Sequence, residues 1–192
     1  MRKLTLADIK DLREYERERD SFRSEIIAMK KQRRIPLGDL MTIVFENAAT
    51  MRFQIQEMAR AERMLRDDQI AHELETYNEL VPGTNELSGT LFIEITDDEA
   101  VHYWLPRLVG IHDHISLVVG GVSSPGRAQD VERLTRPDTT TTVHYLKFTV
   151  SPDQQRAVAD GPVRIVVDHP EYDADVTLTA EQRDELAGDL AP

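Results

Sequence analysis

The run from Leu37 to Leu80 contains no Pro and one Gly, Gly38. It is the longest stretch free of strong breakers, and the remainder of the chain has to be arranged around it. Apolar residues recur at Leu37, Leu40, Val44, Met51, Ile55, Met58 and Leu65. These alternating three- and four-residue steps place one stripe on one side of a helix. Asn47 and Glu62 fall on that stripe where apolar residues are due. The consecutive Ile43, Val44 and Phe45 make the first turns apolar nearly all round, so burial is expected there. Into the same helix the sequence puts Glu46, Asn47, Arg52, Gln54, Gln56 and Glu57. Buried polar groups cost free energy unless they are paired. These six are therefore expected to satisfy one another, a neighbouring helix or a ligand.

Ahead of this stretch, Thr5 with Asp8 three residues later reads as an N-cap, starting a helix over Leu6–Lys31 that ends before Pro36. Its middle, REYERERD, alternates charge as a solvated face does. A second helix over Leu37–Asn78, kinked near Asp67-Asp68, would then fold back on the first. The expectation is a long antiparallel helical hairpin over residues 1–82.

After Val81-Pro82-Gly83 the apolar period changes from 3.6 to 2. Strands are expected around Leu91–Ile95, His114–Val119, Thr141–Val150 and Val163–His169, with a fifth marked by Val176 and Leu178. Short helices carry capping signals at Thr96, Ser151 and Thr179. Gly120 to about Thr140 is punctuated by Gly and Pro and reads as a long mobile loop holding one helical turn. The expected fold class is α+β: the hairpin over 1–82, then over 83–192 a mixed or antiparallel sheet of about five strands with short helices, the two forming one unit or two domains.

Charge is unevenly spread. Residues 1–66 carry 15 Lys/Arg and 11 Asp/Glu, whereas residues 67–192 carry 8 and 24. The acidic part argues against nucleic-acid binding, which needs clustered cations. The basic part can meet an anion, an acidic partner, or the chain's own acidic portion. There is no Cys, which excludes disulfides, thiol catalysis and an iron–sulfur cluster on the chain's own thiolates. No apolar run reaches the ~18 residues of a membrane span and the N-terminus lacks a signal-peptide core, so a cytoplasmic protein with no membrane contact is expected.

The run FENAATMRFQIQEMARAER, followed by ELETYNELVP, TLFIEI, VHYLKF and DHPEY, resembles a bacterial family labelled as a domain of unknown function and numbered 3501. The resemblance spans nearly the whole chain, and QIQEM is its most specific segment. It assigns no activity and no catalytic residue. Genes of the family neighbour those of rubrerythrin-like proteins and of cysteine-rich iron–sulfur oxidoreductases. The resemblance therefore implies a role in peroxide or redox-stress metabolism, with any cluster held by the partner.

Three constellations are candidates for a site. The first is the polar set Glu46, Asn47, Arg52, Gln54, Gln56, Glu57 and Arg60. Glu46 and Glu57 lie about 16 Å apart along a helix axis, too far to share one metal. The Glu-x-x-His pairs of a carboxylate-bridged di-iron site are absent, since Arg60 follows Glu57 and Leu65 follows Glu62. Either a hydrogen-bonded network fixes helix register, with Arg52 and Arg60 against the glutamates, or a pocket holds a small polar or anionic ligand on Arg52, Gln54 and Gln56. The second is the histidines. His112 and His114 point the same way if they lie on a strand, and with His144 and His169 they could bind Zn, Fe or Mn. The third is Arg33-Arg34, ahead of a helix start, as an anion holder. The function expected is a non-catalytic accessory protein of redox metabolism, which dimerises or binds a partner through the hairpin. The alternative is a metal-binding protein or metalloenzyme centred on the histidines.

Overall fold

The computed structural model describes residues 1–129, 135–136 and 138–190. In chain order the helices are α1 (Leu12–Arg33), α2 (Ala48–Ala61), α3 (Asp67–Asn78), α4 (Asp98–Trp104), α5 (Pro152–Asp160) and α6 (Ala180–Leu190). The strands are β1 (Arg34–Leu37), β2 (Met41–Glu46), β3 (Glu86–Ile93), β4 (Ile115–Val119), β5 (Val122–Ala128), β6 (Thr135–Arg136), β7 (Thr139–Thr140), β8 (Val143–Thr149), β9 (Val163–His169) and β10 (Tyr172–Thr177). Single 3-10 turns occupy Leu6–Asp8 and Ile111–His114.

No helical hairpin forms. The N-terminal helix is single, and the stretch expected to begin the second helix folds instead as the β1–β2 hairpin. Arg34 pairs with Val44, and Leu37 with Met41, around a turn in which Gly38 takes φ +69°. The misleading signal is burial on both faces. Met41, Ile43 and Phe45 enter the main core, while Thr42, Val44 and Glu46 on the opposite face are also buried, α1 packing along β2. A strand covered on both sides loses its polar alternation and reads as a continuous apolar run. The first helix also starts later than expected. The Thr5/Asp8 box closes only the 3-10 turn, and Asp11 caps α1 by accepting from the Arg13 and Glu14 amides, each at 2.9 Å.

Eight strands form one antiparallel sheet in the order β1-β2-β3-β8-β5-β4-β9-β10, and β6 pairs with β7 separately. This replaces the expected mixed or antiparallel sheet of about five strands with a larger, wholly antiparallel one. The five anticipated strands correspond to β3, β4, β8, β9 and β10; β1, β2 and β5 are additional. Pairing of β2 with β3 carries the sheet across residue 82. β5 lies in the stretch expected to be a long loop, and the helical turn expected there lies outside the described residues. This strand changes partner midway: Pro125 still pairs with Ser116 of β4, while Gly126 pairs with Phe148 of β8. A Cβ on Gly126 would sit 3.1 Å from both the Ile115 carbonyl oxygen and the Phe148 ring, so the corner needs glycine.

The sheet curls until its edges meet. The Tyr172 hydroxyl on β10 donates to the Leu37 carbonyl at 2.5 Å and accepts from the Leu40 amide at 3.2 Å, making a near-barrel whose seam is held by a side chain. Leu87, Leu91, Leu117, Leu146, Phe148 and Ile165 fill its interior, and Leu186 and Leu190 of α6 pack into the same core. Outside it, α2, α3 and the N-terminal segment share a smaller core of Leu4, Met51, Ile55, Leu74 and Val81. Among the described residues no helix is long and apolar enough to cross a membrane.

Candidate functional site

The polar residues singled out in the sequence do not share one helix. Glu46 ends β2, and Asn47 is the N-cap of α2, its side chain accepting from the Thr50 amide at 3.0 Å. Only Arg52, Gln54, Gln56, Glu57 and Arg60 lie on α2. Two of these are bound into the fold. Gln56 is 2% exposed. Its Oε1 accepts from the Lys10 amide at 2.7 Å and its Nε2 donates to the Lys10 carbonyl at 3.1 Å, pinning the entry to α1. Glu57 faces α1, where Arg19 donates to it twice, each at 2.8 Å, and the Tyr15 hydroxyl once, at 2.7 Å. The Arg19 hydrogen bonds hold the Glu57 carboxyl down at about 2, with Tyr15 assisting against partial burial. Burial and the Glu57 charge push the Tyr15 phenol up.

The partners of Glu57 are therefore on α1, Tyr15 and Arg19, one helical turn apart. The expected pairing of Arg52 and Arg60 with glutamates of the same helix does not occur. Arg60 reaches Glu16 on the surface of α1 at 2.9 Å. Arg52 lies over the Phe22 ring, 4.5 Å from its centroid. Phe22 in turn meets Phe53 and Tyr15 edge-on, at 5.7 and 6.4 Å. Arg52 makes no hydrogen bond or ion pair among the described residues, and neither does the Gln54 side chain.

Arg52, Phe22, Tyr15, Gln56, Lys10 and Arg17 border a cleft of about 350 Å³ between α1 and α2. Its carboxylates are largely engaged: Asp8 by Arg2, and Glu18 by Lys10. Arg17 and Arg52 then stand against Glu25 alone. Sequence reasoning places Tyr15 and Phe22 on the apolar stripe of the first helix and leaves Arg19 in its gap, within the charged run Arg13–Asp20, without pairing any of the three with α2. The four- and three-residue steps from Tyr15 through Arg19 and Phe22 to Ile26 were the available signal.

Arg33 and Arg34 hold no open anion site. Arg33 is 1% exposed and is bound by Asp189 and Glu185 of α6, whereas Arg34 pairs with Glu94. Glu46 is buried, accepting from the Thr90 hydroxyl at 3.2 Å, with its Oε2 unpartnered among the described residues.

The four histidines do not converge. His112 and His114 lie in a 3-10 turn rather than on a strand, so their rings diverge to different partners. His112 faces His144, the ring centroids 5.6 Å apart and the planes 21° from parallel. His114 meets His169 edge-on at 4.9 Å and contacts Asp168 at 3.2 Å. His169 is satisfied by the backbone, with Nε2 3.2 Å from the Val109 carbonyl and Nδ1 accepting from the Glu171 amide at 3.2 Å. Among the described residues no three His, Asp or Glu side chains are grouped to hold an ion. His144 is fully buried, and desolvation pushes its pKa down to about 4.

The family model described as "Protein of unknown function (DUF3501)" matches residues 3–190. Among solved structures, the crystal structure of a novel protein of unknown function from Burkholderia pseudomallei is similar at 32% sequence identity. The match covers 99% of this chain and 100% of that one, with a TM-score of 0.90. No curated protein matches.

Proposed function

We propose that this chain, which belongs to the family described as protein of unknown function (DUF3501), is a non-catalytic accessory protein whose α1–α2 cleft receives a carboxylate of a partner protein. The observation that carries this reading is Arg52, set over Phe22 with no anionic partner among the described residues. The ring holds the guanidinium beside the cleft, and its N–H donors stay free to grip a carboxylate in a fork. A general acid or base needs a pKa near working pH. Tyr15, which lines the cleft, is held protonated, and Glu57, bonded to it, is held ionised far below neutrality, which favours binding over catalysis. The gene neighbourhood implied by the family resemblance makes a rubrerythrin-like protein or an iron–sulfur oxidoreductase the partner to try first, in the cytoplasm. Self-association of the chain through the same helical layer is the competing occupant.

Calorimetry with each purified candidate partner tests the proposal. Arg52→Ala should weaken binding about tenfold or more, equivalent to about 1.4 kcal/mol, and raised salt should weaken the wild-type complex. Absence of binding to both partners, or equal affinity of Arg52→Ala and wild type, overturns it. A dimer that Arg52→Ala dissociates would move the cleft's role to self-association.

A further inference from the structure

We propose that the notch between the N-terminal segment and the α2–α3 turn takes a large apolar side chain from an acidic segment of a partner protein, a second point of contact that rests on the reading of the Arg52 cleft as the site for that segment's carboxylate. The notch measures about 200 Å³, and Leu6, Ile9, Leu12, Leu65 and Ile70 are among the residues that line it. Two of these are open to solvent, Leu65 at 81% exposure and Leu6 at 44%. Single exposed leucines are ordinary on a protein surface, whereas neighbouring ones around a concavity mark a contact site. The walls are fixed before anything binds. Leu4 exchanges two hydrogen bonds with the Asn78 side chain, at 2.8 and 2.9 Å, which hold the N-terminal segment against α3. Across the notch, Arg63 takes a φ of +53°, a region that residues other than glycine seldom occupy. That turn sends Met64 into the protein and leaves Leu65 facing solvent.

Charge defines the occupant. Leu12 also borders a shallower depression that holds Arg13 and Arg63, side chains with no hydrogen bond or ion pair among the described residues. Together the two linings set Lys10, Arg13, Arg60, Arg63 and Arg66 against Asp11, Asp67 and Glu16, on a chain whose net charge is −12. Asp11 is already engaged in capping α1. A cationic rim around an apolar floor fits a segment that presents carboxylates beside a leucine, isoleucine or phenylalanine. A two-fold contact between copies of this chain fits poorly, because notch against notch sets these arginines against like charge. Lys10 borders both the notch and the Arg52 cleft. Arg52 and Ala59, one from each, are two turns apart on one face of α2, about 10 Å along its axis. The partner's carboxylate and its apolar side chain should be separated by the same distance, that of residues i and i+7 on one face of a helix.

The test is selection from a displayed library of random peptides on immobilised full-length protein, followed by fluorescence anisotropy with the tightest selected peptide after synthesis. Selected sequences should pair Asp or Glu with Leu, Ile or Phe, and raised salt should weaken binding. Leu65→Ser changes an open side chain and leaves the fold intact; it should weaken the peptide about tenfold or more. Arg13→Glu combined with Arg63→Glu should weaken it comparably and flatten the salt dependence. Arg52→Ala should weaken it too, whereas Val122→Ser, at an exposed apolar residue that lines neither site, should not. Binding lost in Arg52→Ala but kept in Leu65→Ser leaves the cleft reading standing and overturns the notch. Binding kept in Arg52→Ala but lost in Leu65→Ser overturns the cleft reading and, with it, the two-point contact. Selection of no acidic–apolar sequence overturns the proposal. So does a dimer that Leu65→Ser dissociates, or Leu65-dependent binding to vesicles of phosphatidylglycerol and phosphatidylcholine.

Discussion

Asp189→Ala should be among the most destabilising single substitutions in this protein, because it strips the carboxylate from a buried arginine. Arg33 ends α1 at 1% exposure, and Asp189, near the end of α6, is 7% exposed. The guanidinium grips Asp189 through two parallel donors, Nη1 at 2.7 Å and Nη2 at 2.8 Å, while Nε donates to Glu185 at 2.9 Å. Asn47 adds a bond to Asp189 at 3.3 Å, tying in the cap of α2. Position 189 is otherwise poor for an acid, since the C-terminal end of a helix dipole disfavours negative charge. The alanine variant removes two charge-assisted hydrogen bonds and leaves a buried cation with only the part-exposed Glu185. Breaking such a pair costs about 3–5 kcal/mol. For a domain of this size each kcal/mol moves Tm by about 2–4 °C, so a fall on the order of 10 °C is expected. Asp189→Asn keeps the shape and one acceptor and should lose less. Arg33→Met combined with Asp189→Leu removes both charges and should recover most of the loss, because an apolar pair avoids the desolvation penalty. Urea unfolding of the single and double variants gives the coupling energy directly. An Asp189→Ala cost below about 1 kcal/mol would mean that Arg33 finds water when α6 lets go, and the reasoning from burial would fail.

Three further outcomes are expected. Burial lowers the folded-state pKa of His144 from 6.5 to about 4, so between those values the unfolded chain binds a proton that the folded chain refuses. Stability should therefore fall by up to about 3 kcal/mol as pH drops through this window, and a His144→Gln variant that kept the same pH slope would refute the assignment. Glu57 has its folded pKa depressed from 4.5 to about 2, so its contribution is full above 4.5 and lost as pH falls toward 2. Since its side chain is 26% exposed, Glu57→Ala should cost only about 1–2 kcal/mol at neutral pH, with Glu57→Gln milder, and acid titrations monitored by circular dichroism check both. At the barrel seam, Gly38→Ala meets a positive φ and the Tyr172 hydroxyl together and should cost more than about 1 kcal/mol. Tyr172→Phe should cost about 1–2 kcal/mol and speed hydrogen exchange at the Leu40 amide; unchanged exchange would show that the seam does not depend on the tyrosine.

The sequence by itself determined what local rules govern. Strands from Leu91, Ile115, Val143, Val163 and Val176 follow from period-two patterning, and the cap at Ser151 follows from hydrogen bonds within a few residues. The absence of Cys determined that no disulfide or thiolate cluster is built on this chain. Tertiary structure decided the rest wherever a residue's surroundings come from distant chain. β2 looked helical because both of its faces are covered, a fact set by α1 on one side and the barrel interior on the other. Val122–Ala128, with its Pro and Gly, looked like loop because its pairing depends on β4 and β8 rather than on its own propensity. The candidate site was legible in part. Arg52, Gln56 and Glu57 stood out as polar residues in an apolar helix, but Tyr15, Arg19 and Phe22 become their partners only when α1 packs on α2. The histidines show the limit most plainly. A two-residue spacing sends side chains the same way on a strand and apart in a 3-10 turn, and which of these forms is settled by how Leu108 and Ile111 enter the barrel core.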